Sequence, residues 1–225
     1  MIEFLGGPSS PQQEAWDRYQ GLLCKVTEFW ARAVSAQPGA FACHEGCSAC
    51  CAPGLTVLPV EAAAIRAALA SLSVGARTRL EVSLARGAPG GAPGGAPGGA
   101  PGGAPEGAPG GAPGGAPGGA PEGAPGGACA FLVEGLCAIY PARPVICRTH
   151  GLTLRIEDRL DSCPLCFQSE PPLPEGILAL ETLNTLLVLV NRHWLDAQGL
   201  DQDAPRVPLE ELAREGVGTP NANSS

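Results

Sequence analysis

From Gly87 to Ala128 the chain repeats Ala-Pro-Gly-Gly with a period of four, glutamate replacing one glycine at Glu106 and Glu122. That period excludes a collagen triple helix, which needs glycine at every third residue. Apart from the two glutamates, no side chain here is larger than proline, so burial cannot offset the entropy of ordering the segment. Residues 87–128 are therefore expected to form a disordered insertion. Any fold must be assembled from the pieces on either side, 37–86 and 129–215, together with an N-terminal segment, 11–36. Prolines four apart also miss the P-x-x-P spacing that proline-binding modules read.

The flanking pieces are short of core-forming residues. Hydrophobic residues make up 44% of the chain, but much of that is alanine in the repeat, and aromatics are only 4%. Both pieces instead carry cysteine, ten in all. The first residues, Met1 to Pro8, have neither the basic nor the apolar region of a secretory signal, which leads us to expect a cytoplasmic protein. In a reducing compartment cysteines read as ligands rather than disulfides. The longest apolar stretch, Ile177 to Val190, is interrupted by Glu181 and Asn184 and falls short of the roughly 20 residues of a bilayer span. No membrane partner is expected. A net charge of -8 repels phosphate backbones, so no nucleic-acid partner is expected either. Metal ions are the partners the composition points to, and the sequence names no protein partner.

Apolar residues at helical spacing over 11–36 predict a docking helix with a stripe of Trp16, Tyr19, Leu23, Val26 and Trp30. The tryptophans read as core aromatics, and Cys24, off the stripe and far from other cysteines, as a spare thiol. Pro59 opens a second helix at its first-turn position, running to about Leu72. A weaker helix follows from Val74 to Arg86, with Arg77 and Arg79 facing solvent and Leu80 and Leu84 facing inward. Beyond the repeat, Glu134-Gly135 is a two-residue turn between apolar runs and predicts a small hairpin. A helical turn carrying Cys147 and a polar stretch come next. A helix is expected from about Glu175 to Gln198, ended by Gly199, then a short one from Pro208 to Glu215 and a disordered tail, 216–225. The expected fold is mainly α: a small cysteine-rich, metal-stapled domain with one short β-hairpin and a long disordered Gly/Ala/Pro insertion.

The first cysteine group is Cys43, Cys47, Cys50 and Cys51. On a helix these would share one face, at about 0, 40, 340 and 80 degrees. Cys43 and Cys51 would nevertheless lie about 12 Å apart along the axis, whereas sulfurs bound at about 2.3 Å to one zinc are under about 4 Å from each other. Either the chain bends at Gly46 or the ligands are shared among several metal atoms. Further ligands must come from the second group, Cys129, Cys137, Cys147 and Cys163. Gathering eight thiolates requires compensating charge, and Arg143, Arg148 and His150 are near Cys147 in sequence. His44 and His150 each adjoin a cysteine and are assigned supporting rather than ligating roles. His193 reads as packing or surface.

Cys43-x3-Cys47-x2-Cys50-Cys51, Cys129-Ala-Phe-Leu, Cys137-Ala-Ile-Tyr, Arg143-Pro-Val-Ile-Cys147-Arg148 and Ser-Cys163-Pro-Leu together resemble the YkgJ-type cysteine-cluster proteins, a family described as zinc- or iron-chelating. The resemblance spans about 43 to 167 without the repeat. It implies that the eight cysteines just grouped are the family's ligand set. Cys166 and the repeat depart from the pattern, and Cys166 is left as a possible additional ligand. The family also has a distant likeness to flagellin lysine methylases.

These observations favour a non-catalytic module that chelates zinc or iron, an iron-sulfur cluster being one form the metal could take. The alternative is an iron-sulfur-dependent protein-modifying enzyme. Against it, no glycine-rich nucleotide loop is present and no C-x3-C-x2-C stands free of a further cysteine. Cys163-Pro-Leu-Cys166 is a C-x2-C, but the strand and helix alternation of a thioredoxin-like redox protein is missing.

Overall fold

The computed structural model describes residues 10–86 and 128–218. The repeat, expected to be disordered, lies outside these residues except for Ala128, and so does the tail from 219 onward. In chain order the elements are α1 (Pro11–Ala36), β1 (Thr56–Val57), α2 (Pro59–Ala70), α3 (Val74–Ala85), β2 (Leu132–Val133), β3 (Leu136–Cys137), α4 (Val145–Thr149), β4 (Thr153–Ile156), β5 (Arg159–Asp161), β6 (Ile177–Ala179), α5 (Leu180–Gln198), β7 (Val207–Pro208) and α6 (Leu209–Gly218). Short 3-10 turns at Tyr140–Ala142 and Pro174–Gly176 precede α4 and β6.

Local chemistry sets the helix boundaries. Ser10 accepts from Gln13 N–H before Pro11 starts α1, and Ser73 accepts from Ala76 N–H at the start of α3, each satisfying a donor that the first turn leaves free. Pro59 starts α2 as its ring geometry favours. Gly199, at φ +65°, closes α5 in the left-handed conformation open to glycine.

Two apolar cores meet at α2. Val57, Ile65, Leu69 and Leu80 join Phe131, Val133, Leu209 and Leu212 in one of them. The other packs Tyr19, Leu22, Leu23 and Val26 of α1 against Val60, Val145, Leu183 and Leu187. The amphipathic stripe of α1 thus docks on α4 and α5, with Tyr19 fully buried and Trp16 in tilted contact with Trp194. Between the cores, Glu61 is buried and accepts from the Leu58 and Val145 N–H groups, at 3.0 and 2.9 Å. One carboxylate therefore ties the start of α2 to the start of α4.

The hairpin at Glu134-Gly135 forms as its sequence predicts, both turn residues taking positive φ (52° and 80°), which suits the twist of a two-residue turn. The β content exceeds that single hairpin. The polar stretch after Cys147 folds into a second hairpin, β4 with β5, turning at Glu157 (φ 52°). Ile177–Ala179, expected at the start of a helix, instead adds as a parallel strand to β4, so α5 begins at Leu180 rather than near Glu175. β1 and β7 make a further antiparallel pair. Residues 216–218, placed in the tail by sequence, continue α6, because Gly216 packs against Leu69 so closely that an added Cβ would lie 2.8 Å from it. Arg77 does not face solvent. It is partly buried and donates to the Gly216 and Leu69 carbonyls, fastening α3 to the ends of α2 and α6.

Candidate metal centre

The first four cysteines sit on a chain of tight turns rather than a helix. Gly46 takes φ +89°, Cys47 N–H donates to His44 O, and Cys51 N–H donates to Ser48 O. Gly46 thus bends the chain between Cys43 and the Cys50-Cys51 pair.

Cys43 meets the far end of the second piece. Its Sγ lies 3.9 Å from Cys166 Sγ, and the sulfurs of Cys43, Cys163 and Cys166 all fall within 4.8 Å of one another. Cys47 is near enough to add its repulsion to the Cys43 thiol. Several interactions outside the ligands hold this group. The buried Thr153 shares a 2.7 Å hydroxyl hydrogen bond with Ser162 just ahead of Cys163. Phe167 N–H donates to Ala40 O at 2.7 Å, and Gln37 clamps the following loop through Pro171 O and Leu173 N–H. Gly151 lies directly beneath at φ +94°, where a Cβ would stand 2.5 Å from Cys43 Sγ.

Cys50 and Cys51 meet the near end. Cys129 N–H donates to Cys51 O at 2.8 Å, so the chain re-enters after the repeat directly against the first group. The Cys51 thiol feels Cys129, Cys137 and Cys147, and the Cys147 thiol feels Cys129, Cys137 and Cys50. Each is supplied by a different local device: Cys137 by the hairpin, Cys147 by α4, and Cys129 by the turn leading into β2.

Burial and crowding set the protonation of these sulfurs. Burial first, then neighbouring thiols, push Cys43 and Cys147 up from 9.0 to about 12, and burial takes Cys129 to about 11. Burial likewise raises Cys137 and Cys163. Cys50 is raised chiefly by donating its proton to Cys51, and the same hydrogen bond lowers Cys51. Arg143 opposes the rise at Cys50, Cys137 and Cys147.

The donor set fits a thiophilic metal. Crowded, half-buried thiols resist ionising until a cation shares the space, which a coordinated metal does. The 3.9 Å sulfur separation matches the roughly 3.8 Å edge of a sulfur tetrahedron around a metal with bonds near 2.3 Å. Soft sulfur donors select zinc, copper(I) or iron-sulfur clusters over magnesium or calcium.

A cleft of about 220 Å³ opens onto Cys43, Cys47, Cys50 and Cys147. The four residues assigned supporting roles all line it. Arg143 stacks 3.7 Å from the Tyr140 ring centre. Arg148 donates to the carbonyls of Arg143 and Pro141, which fixes the turn ahead of α4. His150 caps α4, its pKa lowered by burial first and Arg143 second. His44 is exposed and turns its ring to its neighbour's carbonyl, Glu45 O. Cys24 is exposed on α1.

The structure brings Cys43 together with Cys163 and Cys166, sets Cys129 against Cys51, and lines one cleft with Cys43, Cys47, Cys50 and Cys147. Sequence reasoning missed Gly151, Glu61 and the role of Trp30, which lines the cleft instead of filling a core. A glycine just past the Cys147 helix was the one available signal.

A family model described as "Putative zinc- or iron-chelating domain" and labelled CxxCxxCC matches residues 42–166. No curated protein matches the chain, and no solved structure does. No helix among the described residues is long and apolar enough to cross a membrane.

Proposed function

The chain belongs to the CxxCxxCC family, and from that membership and the convergence of its thiols we propose that it binds zinc or iron through Cys43, Cys47, Cys50, Cys51, Cys129, Cys137, Cys147 and Cys163. The metal would be held as separate ions or as an iron-sulfur cluster. The observation that carries this reading is the junction of the two cysteine groups across the repeat, where Cys129 N–H closes on Cys51 O and Cys43, Cys47, Cys50 and Cys147 share one cleft. Arg143, Arg148, His150 and His44 support the sulfurs without ligating. Metal bound there staples the two pieces and contributes directly to folding.

A single tetrahedral ion uses four sulfurs, so this many thiols imply at least two metal atoms per chain. Elemental analysis of anaerobically purified protein, with its absorption spectrum, tests the proposal. Brown protein with broad visible absorption identifies an iron-thiolate centre; colourless protein with two zinc atoms identifies zinc ions. Cys147→Ser is expected to lower metal content and helicity together. Wild-type protein carrying one metal atom or none defeats the polynuclear reading.

A further inference from the structure

We propose that Cys166 is a metal ligand and that, with Cys43, Cys47 and Cys163, it forms a mononuclear four-thiolate site separate from the one built by Cys50, Cys51, Cys129, Cys137 and Cys147. The inference rests on the metal-binding reading above and deepens it by dividing the ligands.

Five observations support the division. Cys166 is buried, 4% exposed, and its sulfur belongs to the one set among the described residues whose three atoms lie within 4.8 Å of one another. Cys163 and Cys166 form a C-x2-C turn closed by Cys166 N–H to Cys163 O at 2.9 Å, the spacing by which one turn supplies two ligands to a tetrahedral ion. Ala42 N–H points at Cys166 Sγ from 3.4 Å, an interaction that stabilises a coordinated thiolate. Phe167, immediately after Cys166, takes φ 56°, a conformation unfavourable for a bulky residue and held by its surroundings. Here those surroundings are an edge-to-face contact with Phe41 at 5.0 Å, and Phe41 packs in turn on Trp30 at 5.8 Å. The turn brings the Cys166 sulfur to 3.9 Å from that of Cys43. Finally, Cys47 lines the same cleft as Cys43, whereas Cys51 is joined at its backbone to Cys129, whose N–H donates to Cys51 O at 2.8 Å.

Four thiolates around one divalent ion leave no position for water, so this site is structural. It joins the turn after α1 to the segment between β5 and β6. The other five sulfurs then hold the remaining metal.

The test uses the full-length chain, refolded or purified anaerobically with cobalt(II) as a spectroscopic substitute for zinc. Cys166→Ser is expected to lower stoichiometry by one metal atom per chain, and Cys51→Ser to remove metal only from the other site. Because Cys166→Ser could fail to fold, Cys166→His provides a variant that keeps a ligating atom. It is expected to retain wild-type stoichiometry, to shift the cobalt d–d bands, and to lose about a quarter of the sulfur-to-cobalt charge-transfer intensity at that site, one ligand in four. A Cys166→His spectrum identical to wild type overturns the proposal, as does full stoichiometry with an unchanged spectrum in Cys166→Ser. If wild-type protein binds no cobalt, zinc or iron, metal binding itself fails and this division falls with it. If wild type binds metal and the Cys166 variants match it, only the division fails.

Discussion

At the scale of single residues, the site depends on atoms that are absent as much as on those present. Gly151 has the backbone of a left-handed turn and no room for a side chain beneath Cys43. Gly151→Ala is expected to cost about 1–3 kcal/mol from the backbone alone and to displace the Cys43 sulfur, so metal content and melting temperature should fall together. A variant with unchanged metal content would show that the Cys43 thiol is free to move. Arg143 opposes the rise at three thiols, so Arg143→Gln should move the midpoint of metal uptake to higher pH, measured by titrating cobalt(II) uptake against pH. The cysteines were legible in the sequence because their spacing is specific. Gly151 and Phe167 were not, since a positive φ leaves no mark on the identity of a phenylalanine, and one glycine among 32 carries little information.

Among elements, the helices were legible and several strands were not. α1, α2 and α5 announce themselves through apolar periodicity, with Pro11, Pro59 and Gly199 marking their ends. β4 and β5 are short, and all three residues of β5 are exposed, so no alternation of apolar residues betrays them; Glu157 turns without glycine. β6 was absorbed into the helix after it because Ile177–Ala179 suits either state, and the parallel edge of β4, a long-range contact, decided between them. The link between α2 and α4 was equally hidden, since a glutamate in a helical first turn ordinarily faces water. Glu61→Ala leaves the Val145 and Leu58 N–H groups without their carboxylate. At about 1–3 kcal/mol for each buried group left unsatisfied, a loss of about 2–6 kcal/mol is expected in denaturant unfolding. Cys147 rides on α4 two residues beyond Val145, so metal content should drop as well. A loss under 1 kcal/mol would mean that water replaces the carboxylate.

For the whole molecule, the two pieces are held at the base of the repeat by Cys129 N–H to Cys51 O and by Ser83 Oγ to Leu132 O. Shortening a loop from about 40 to about 10 residues changes closure entropy by only about 1.2 kcal/mol, in the favourable direction. Replacing residues 88–127 with a short Gly-Ser linker should therefore leave metal content and melting temperature intact, and loss of metal would assign the repeat a structural role. Proton linkage gives a second expectation. In metal-free protein Cys43 and Cys147 are raised from 9.0 to about 12, so the folded chain holds those protons more tightly than the unfolded one. Their stabilisation is complete below pH 9.0 and is lost as the pH climbs to about 12. Thermal melting of metal-free protein should weaken across that window, while metal-loaded protein, its sulfurs already deprotonated, should not follow the same curve. The pairing of Cys43 with Cys166, 123 residues apart, also has a consequence in time. At about 5–20 residues per second of synthesis, Cys43 leaves the ribosome roughly 6–25 s before the sulfur it is to meet. Through that interval the early cysteines are newborn thiols with half of their partners still untranslated, exposed to oxidants and to whichever metal arrives first. Translating the repeat accounts for about 2–8 s of the delay, so its length sets part of the wait before the centre can close.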